Sequence, residues 1–126
     1  MDIEKEKIKN FTDLRTWQEA HKLVLMIYNA TKDFPKDEMY GLTSQIRRAA
    51  VSISSNIAEG FTRYSYKEKI QFYYIASGSV TEVQNQIIAG KDIGYLNQEV
   101  FTNLYSKSID VHKLLNSLIR GSRNHS

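Results

Sequence analysis

Apolar residues recur three and four positions apart along most of the chain, the spacing of helices with a buried stripe. The clearest case is Leu42, Ile46, Ala49, Ile53 and Ile57. Ala49, Ala50, Ser52, Ser54 and Ser55 surround that stripe with small side chains, so neighbouring helices can approach from more than one side. An earlier stretch carries two seams, Leu14, Trp17, His21, Val24 and Tyr28, and Ala20, Leu23, Ile27 and Ala30. A third stripe runs Phe72, Ala76, Ser79, Val83 and Ile87, with Ile75 and Val80 alongside, and a fourth runs Phe101, Leu104, Ser108, Val111, Leu115 and Leu118. No strand-like alternation bounded by turn pairs interrupts them, so the chain is predicted to be all-α.

Capping residues set the expected boundaries. The first helix runs from Thr12 or Asp13, either of which can cap, to about Lys32, where Phe34-Pro35 ends it. The second starts near Asp37 or Glu38, acids suited to a helix N-terminus, and stops at Gly60 as a C-cap. Ser65-x-x-Glu68 is a capping-box pattern that opens a third helix reaching about Gly90. Asn97 caps a fourth that ends at Arg120, before Gly121. Short connections between four long helices predict an up-down-up-down antiparallel four-helix bundle over residues 12–121, with flexible segments at 1–11 and 122–126.

Two runs exceed what so small a bundle can bury alone. Leu23 to Tyr28 is apolar for six residues, and Phe72-Tyr73-Tyr74-Ile75 spreads large side chains around its helix. A helix without a wholly polar face is covered on several sides, so Leu25, Met26, Tyr73 and Tyr74 are expected in a homo-oligomer interface. Ala76-Ser77-Gly78-Ser79 matches the small residues of the second helix, and the two are expected to cross closely there.

Composition narrows the class. The 126 residues are 41% hydrophobic and 25% charged, as in one ordinary globular domain. There is no cysteine, which excludes a disulfide framework and a thiolate metal site. The N-terminal residues mix both charge signs without an apolar core, unlike a secretory signal, and no stretch has the length of a membrane span. A cytoplasmic location is expected.

The net charge of +3 is spread evenly by segment: residues 1–36, 37–70 and 71–126 each carry about +1. Locally it is not even. Between Thr43 and Lys67 the only acid is Glu59, against Arg47, Arg48, Arg63 and Lys67. These four are the expected phosphate contacts, with Lys69 and Arg120 as weaker additions. Consecutive arginines on a helix point about 100° apart, which leaves Arg48 open to a subunit interface and a pairing with Glu59. Tyr64 and Tyr66 interleave with Arg63 and Lys67, a pattern that suits stacking on looped RNA and equally suits packing of a bundle end. Glu59 sits at the negative end of its helix, a placement that costs about 0.3–1 kcal/mol unless a cation answers it; Arg63 is the nearest in sequence.

Catalytic and metal chemistry find little footing. Di-iron bundles use Glu-x-x-His on facing helices, and His21, His112 and His125 have no such spacing. His21 and Trp17 lie on an apolar seam and read as packing residues. Arg15 to His21 and Arg120 to His125 meet the loose spacing of some helical ribonucleases, a spacing common by chance. No nucleophilic triad or glycine-rich phosphate loop is present. No catalytic residue, metal or cofactor is expected.

The combined pattern resembles the four-helix-bundle proteins encoded within intervening sequences of bacterial 23S ribosomal RNA genes. It is carried by Phe11-x-x-Leu14-x-x-Trp17-Gln18-x-Ala20, Phe34-Pro35-x-x-Glu38-x-Tyr40-Gly41-Leu42-x-x-Gln45, the segment from Gln45 to Ser65, Ile75-Ala76-x-Gly78-Ser79 and Ile93-Gly94-Tyr95. That family is similar in fold to the accessory protein of diversity-generating retroelements, a basic oligomer that binds nucleic acid. The resemblance implies a homo-oligomer, a pentamer by likeness, with ribosomal RNA or another nucleic acid as partner. The competing expectation is a protein-interaction module whose charge serves only solubility.

Overall fold

The computed structural model describes residues 8–125. Four helices, α1 (Arg15–Thr31), α2 (Leu42–Thr62), α3 (Tyr66–Ile93) and α4 (Gln98–Arg123), form the bundle that the periodicity predicts. Each packs on its neighbour in the chain, α4 closes on α1, and among the described residues the diagonal pairs bring no Cα atoms within 8 Å of each other. The connections of three residues between α2 and α3 and four between α3 and α4 make these neighbours antiparallel. Leu23, Ile27, Ile46, Ile53, Ile57, Val80, Val83, Ile87, Val111 and Leu115 fill the centre with almost no exposed surface.

The first two helices start later than their acids and hydroxyls suggest. Asn10 Oδ1 accepts the backbone N–H of Thr12 at 2.8 Å, and Asp13 Oδ2 accepts those of Lys9 and Asn10. These bonds close a separate 3-10 turn, Phe11–Asp13, and Leu14 at ψ 127° breaks it from α1. A second 3-10 turn, Lys36–Glu38, precedes α2. There Glu38 Oε1 accepts the backbone N–H of Leu42 at 3.1 Å and Oε2 accepts the Tyr95 hydroxyl at 2.8 Å. Glu38 thus serves as a remote N-cap. Both bonds, Tyr95 first, hold its carboxyl below the usual carboxylate range. A Cβ at Gly41 would stand 2.7 Å from Glu38 Oε1, so a larger residue there would displace the carboxylate from this position.

Neither Gly60 nor Gly90 ends a helix. Gly60 is buried inside α2 against the Tyr73 ring, and the helix runs on to Thr62. Gly90 packs under Leu96 and Phe34, and α3 continues to Gly94, whose φ of 100° supplies the left-handed C-cap. Ser65 and Asn97 cap α3 and α4 as expected, accepting the N–H of Glu68 and Val100.

The close α2–α3 crossing is present. Ser52 Oγ and Ser79 Oγ lie 2.9 Å apart, and Asn56 Nδ2 donates to the Ser52 carbonyl at 2.8 Å. Ser52 and Ser79 therefore tie the crossing together through hydroxyls small enough to let the backbones approach, and Asn56 holds Ser52 from within α2.

Two expectations about the ends change. Gly121 lies inside α4, which reaches Arg123; buried Ser122 donates to the Leu118 carbonyl at 2.9 Å, and the His125 ring stacks on Tyr66 at 4.8 Å. Of the expected flexible N-terminal segment, residues 1–7 lie outside the described residues, as does residue 126 of the expected tail. No helix among the described residues is long and apolar enough to cross a membrane.

Candidate nucleic-acid interface

The four expected phosphate contacts do not form one patch. Arg47 and Arg63 are sixteen residues apart along α2 and its cap, about 24 Å of helix rise and roughly 160° of rotation. Arg47 lies half-buried in the α1–α2 seam, where its Nε donates to Thr31 Oγ1 at 2.8 Å and its guanidinium sits 4.7 Å from the Tyr28 ring centroid. It is a strut between helices. Arg48 is exposed on the other side of α2, in a groove of about 400 Å³ lined by Ser44, Gln45, Ser52, Glu82 and Gln86. Its pairing with Glu59 within the chain is ruled out by eleven residues of helix, about 16 Å. Arg63 takes Glu59 instead, at 3.2 Å, and lies 4.5 Å from the Phe72 ring centroid.

Lys69 has a structural task. Its ammonium donates to the carbonyl of Phe61 at 2.5 Å and, at 3.5 Å, to that of Gly60, which also accepts the Arg63 N–H, so it sits among the acceptors at the α2 C-terminus. Partial burial pushes its amine below the usual lysine value. Lys67 remains exposed on the first turn of α3.

What the fold does gather is charge at one end. The half of the bundle holding the α2–α3 connection comprises residues 8–23, 52–80 and 109–125; it carries nine basic and five acidic residues, whereas the other half carries six of each. The end of α4 supplies Arg120 and Arg123, beside the start of α3 with Lys67. No acid occurs from Lys69 to Thr81 or from Val111 to His125. Aromatic rings accompany these cations: Tyr64 is fully exposed, Tyr66 stacks on His125, and Tyr74 carries the Arg123 guanidinium 5.5 Å from its centroid. Arg123 is not among the expected phosphate contacts because it lies in the expected tail. The acid-free run to the chain's end was the signal that could have found it.

The expected interface residues do not share a face either. Leu25 is 56% exposed, opposite the buried side of α1, while Met26 turns toward α4 and lines a groove with Tyr95, Leu96 and Val100. Tyr74 belongs to the positive end. Tyr73 is a correction: only 2% exposed, it is part of the core, because Gly60 leaves room for its ring. Burial pushes its hydroxyl pKa up to about 12.

Histidine chemistry stays dispersed. His21 stacks on Trp17 at 4.8 Å, and His112 Nε2 lies 3.0 Å from Ser77 Oγ, bridging α4 to α3. Among the described residues, no three His, Cys, Asp or Glu side chains are placed to hold a metal ion.

Comparison with known proteins agrees with this architecture. A crystal structure of a protein with unknown function, from the S23 ribosomal protein family of Bacteroides thetaiotaomicron, superposes with a TM-score of 0.77 at 23% sequence identity. The match covers 82% of this chain and 97% of that one. A search of curated proteins finds no match. The family model for 23S rRNA-intervening sequence proteins matches residues 12–117, the whole bundle apart from the last six residues of α4, and the chain belongs to that family.

Proposed function

We propose that the protein binds nucleic acid, with ribosomal RNA as the partner, through the positive half of its bundle, and does so in the cytoplasm as a homo-oligomer without catalysing a reaction. The observation that carries this reading is the concentration of charge: a net of about +4 in one half against zero in the other, where the sequence by segment is even. Lys67, Arg120 and Arg123 take over from Arg47 and Arg48 as the phosphate contacts. Affinity of this kind scales with the number of phosphates neutralised, so one subunit binds weakly. Assembly multiplies the contacts, with five copies by likeness to the retroelement accessory protein. Leu25 and Tyr28, exposed on α1 away from that positive half, offer apolar surface for the assembly.

The test is fluorescence anisotropy of a labelled ribosomal RNA hairpin at low and near-physiological salt. Wild type is compared with the Lys67→Glu/Arg120→Glu variant, whose fold and assembly are checked by circular dichroism and sedimentation. Binding that weakens steeply with salt and is lost in the intact variant supports the reading. A wild type that binds neither the RNA nor a DNA control at low salt would favour the protein-interaction module.

A further inference from the structure

Between α3 and α4 at the positive end lies a notch of about 310 Å³, walled by Tyr74, Asn116, Arg120 and Arg123 and floored by the buried side chain of Ile119. We infer that this notch is a nucleobase pocket that takes one unpaired adenine of a looped or single-stranded RNA, an assignment that rests on the nucleic-acid reading above.

Each wall matches a part of such a nucleotide. Tyr74 is 46% exposed and offers a ring face for stacking, the usual way an unpaired base is held. Ile119 supplies an apolar surface under the base. The Asn116 carboxamide is exposed and makes no hydrogen bond within the described chain. Its donor and acceptor lie side by side, the arrangement that pairs with the N6 amino group and N7 of adenine. Arg120 donates one bond to Ser117 Oγ at 3.1 Å on its own helix. The rest of its guanidinium is available to the adjoining phosphate. Arg123 adds positive charge from its position over Tyr74.

The other grooves lack this combination. The one beside Arg48 includes Glu82 and has no aromatic wall, and the one beside Met26 includes Asp33. The notch has no carboxylate, so it disfavours a cationic side chain and accommodates a base on an anionic backbone. A base within a duplex cannot reach it without leaving its stack.

The experiment uses the full chain and two labelled RNA hairpins that share a stem and differ only in an all-adenine or all-uracil loop, titrated at one salt concentration, with the bare stem duplex as a third probe. The adenine loop is expected to bind tighter than the uracil loop, and both tighter than the duplex. Asn116→Ala should abolish the adenine preference, so that the two loops bind equally. Tyr74→Leu, confirmed folded, should weaken both loops by about five- to a hundredfold and leave the duplex unaffected. Equal binding of the two loops by wild type, or a preference that survives Asn116→Ala, overturns the pocket while leaving the broader reading standing. Absence of binding to all three probes overturns both.

Discussion

Gly60 and Tyr73 fit together across the α2–α3 crossing, with no room for a side chain between them: a Cβ on Gly60 would stand 2.6 Å from Cε1 of the ring and 3.0 Å from the Phe72 Cβ. A glycine inside a helix ordinarily lowers stability by about 1 kcal/mol relative to alanine. Here the tyrosine ring occupies the vacated space, so Gly60→Ala is expected to destabilise by about 1–3 kcal/mol through overpacking, despite better helix propensity. Tyr73→Ala should cost about 3–5 kcal/mol by leaving a cavity. Urea unfolding followed by circular dichroism reads both. A Gly60→Ala protein as stable as wild type would mean that the ring can shift aside.

Arg47 carries the opposite lesson, a surface-type residue with a structural role. Arg47→Met removes the bond to Thr31 Oγ1 and the stacking over the Tyr28 ring, and is expected to lower stability by about 1–2 kcal/mol. RNA affinity should stay within twofold of wild type. The urea midpoint and an anisotropy titration on the same preparation check the two halves of this prediction.

Those residues show how far the sequence could be read. Helix number, order and most of the core follow from the apolar spacing, because Ile46, Ile53 and Ile57, or Val111 and Leu115, can lie on one face only if the segment is helical. Ser65 and Asn97 announce their helix starts through local hydrogen bonds to the next turn. Gly60 and Gly90 misled because a glycine near the end of a periodic run looks like a C-cap. Only the tertiary neighbours, Tyr73 for one and Leu96 with Phe34 for the other, show that side chains approach the helix backbone closely at these glycines. The charged site was less legible still. Arg47, Arg48, Arg63 and Lys67 are near in sequence, but a helix spreads them along its length and around its axis. Arg120 and Lys67 are some fifty residues apart and share one end of the bundle only because α3 and α4 run antiparallel. The resemblance to the intervening-sequence family identified the fold and left the contacting residues to be found.

Glu19 links α1 to α4 and gives the bundle an acid-sensitive joint. Its carboxylate accepts from Lys107 and from Lys22, each at 2.8 Å, and these bonds, Lys107 first, lower its pKa to about 2. The folded state therefore binds its proton less readily than the unfolded chain, so the stabilisation is fully present above the ordinary glutamate value and is lost as pH falls from about 4.5 to about 2. Lys22 is 61% exposed and screened by solvent, whereas Lys107 is mostly covered. The pair is accordingly assigned about 1 kcal/mol. Glu19→Gln should lose about that much stability at pH 7 and show a shallower decline between pH 4.5 and 2.5. Urea midpoints of the two proteins across that range measure the difference.

The division of labour among the basic residues is tested by salt dependence, because it separates cations that neutralise a phosphate from cations that merely raise the overall potential. Each phosphate left without its cation lowers the slope of log affinity against log salt by about 1. Lys67→Gln/Arg120→Gln removes two cations from the positive end and should reduce the slope by about 2 per subunit engaged. Arg48→Gln removes one cation from the other half, in a groove that also holds Glu82, and should leave the slope unchanged. Anisotropy titrations of one RNA hairpin at four or five salt concentrations give these slopes directly. If Arg48→Gln flattens the slope as much as Arg120→Gln does, the RNA runs along α2 and the α3–α4 end is not its main seat. If only the α3–α4 substitutions flatten it, the charge asymmetry created by the fold is what the nucleic acid reads.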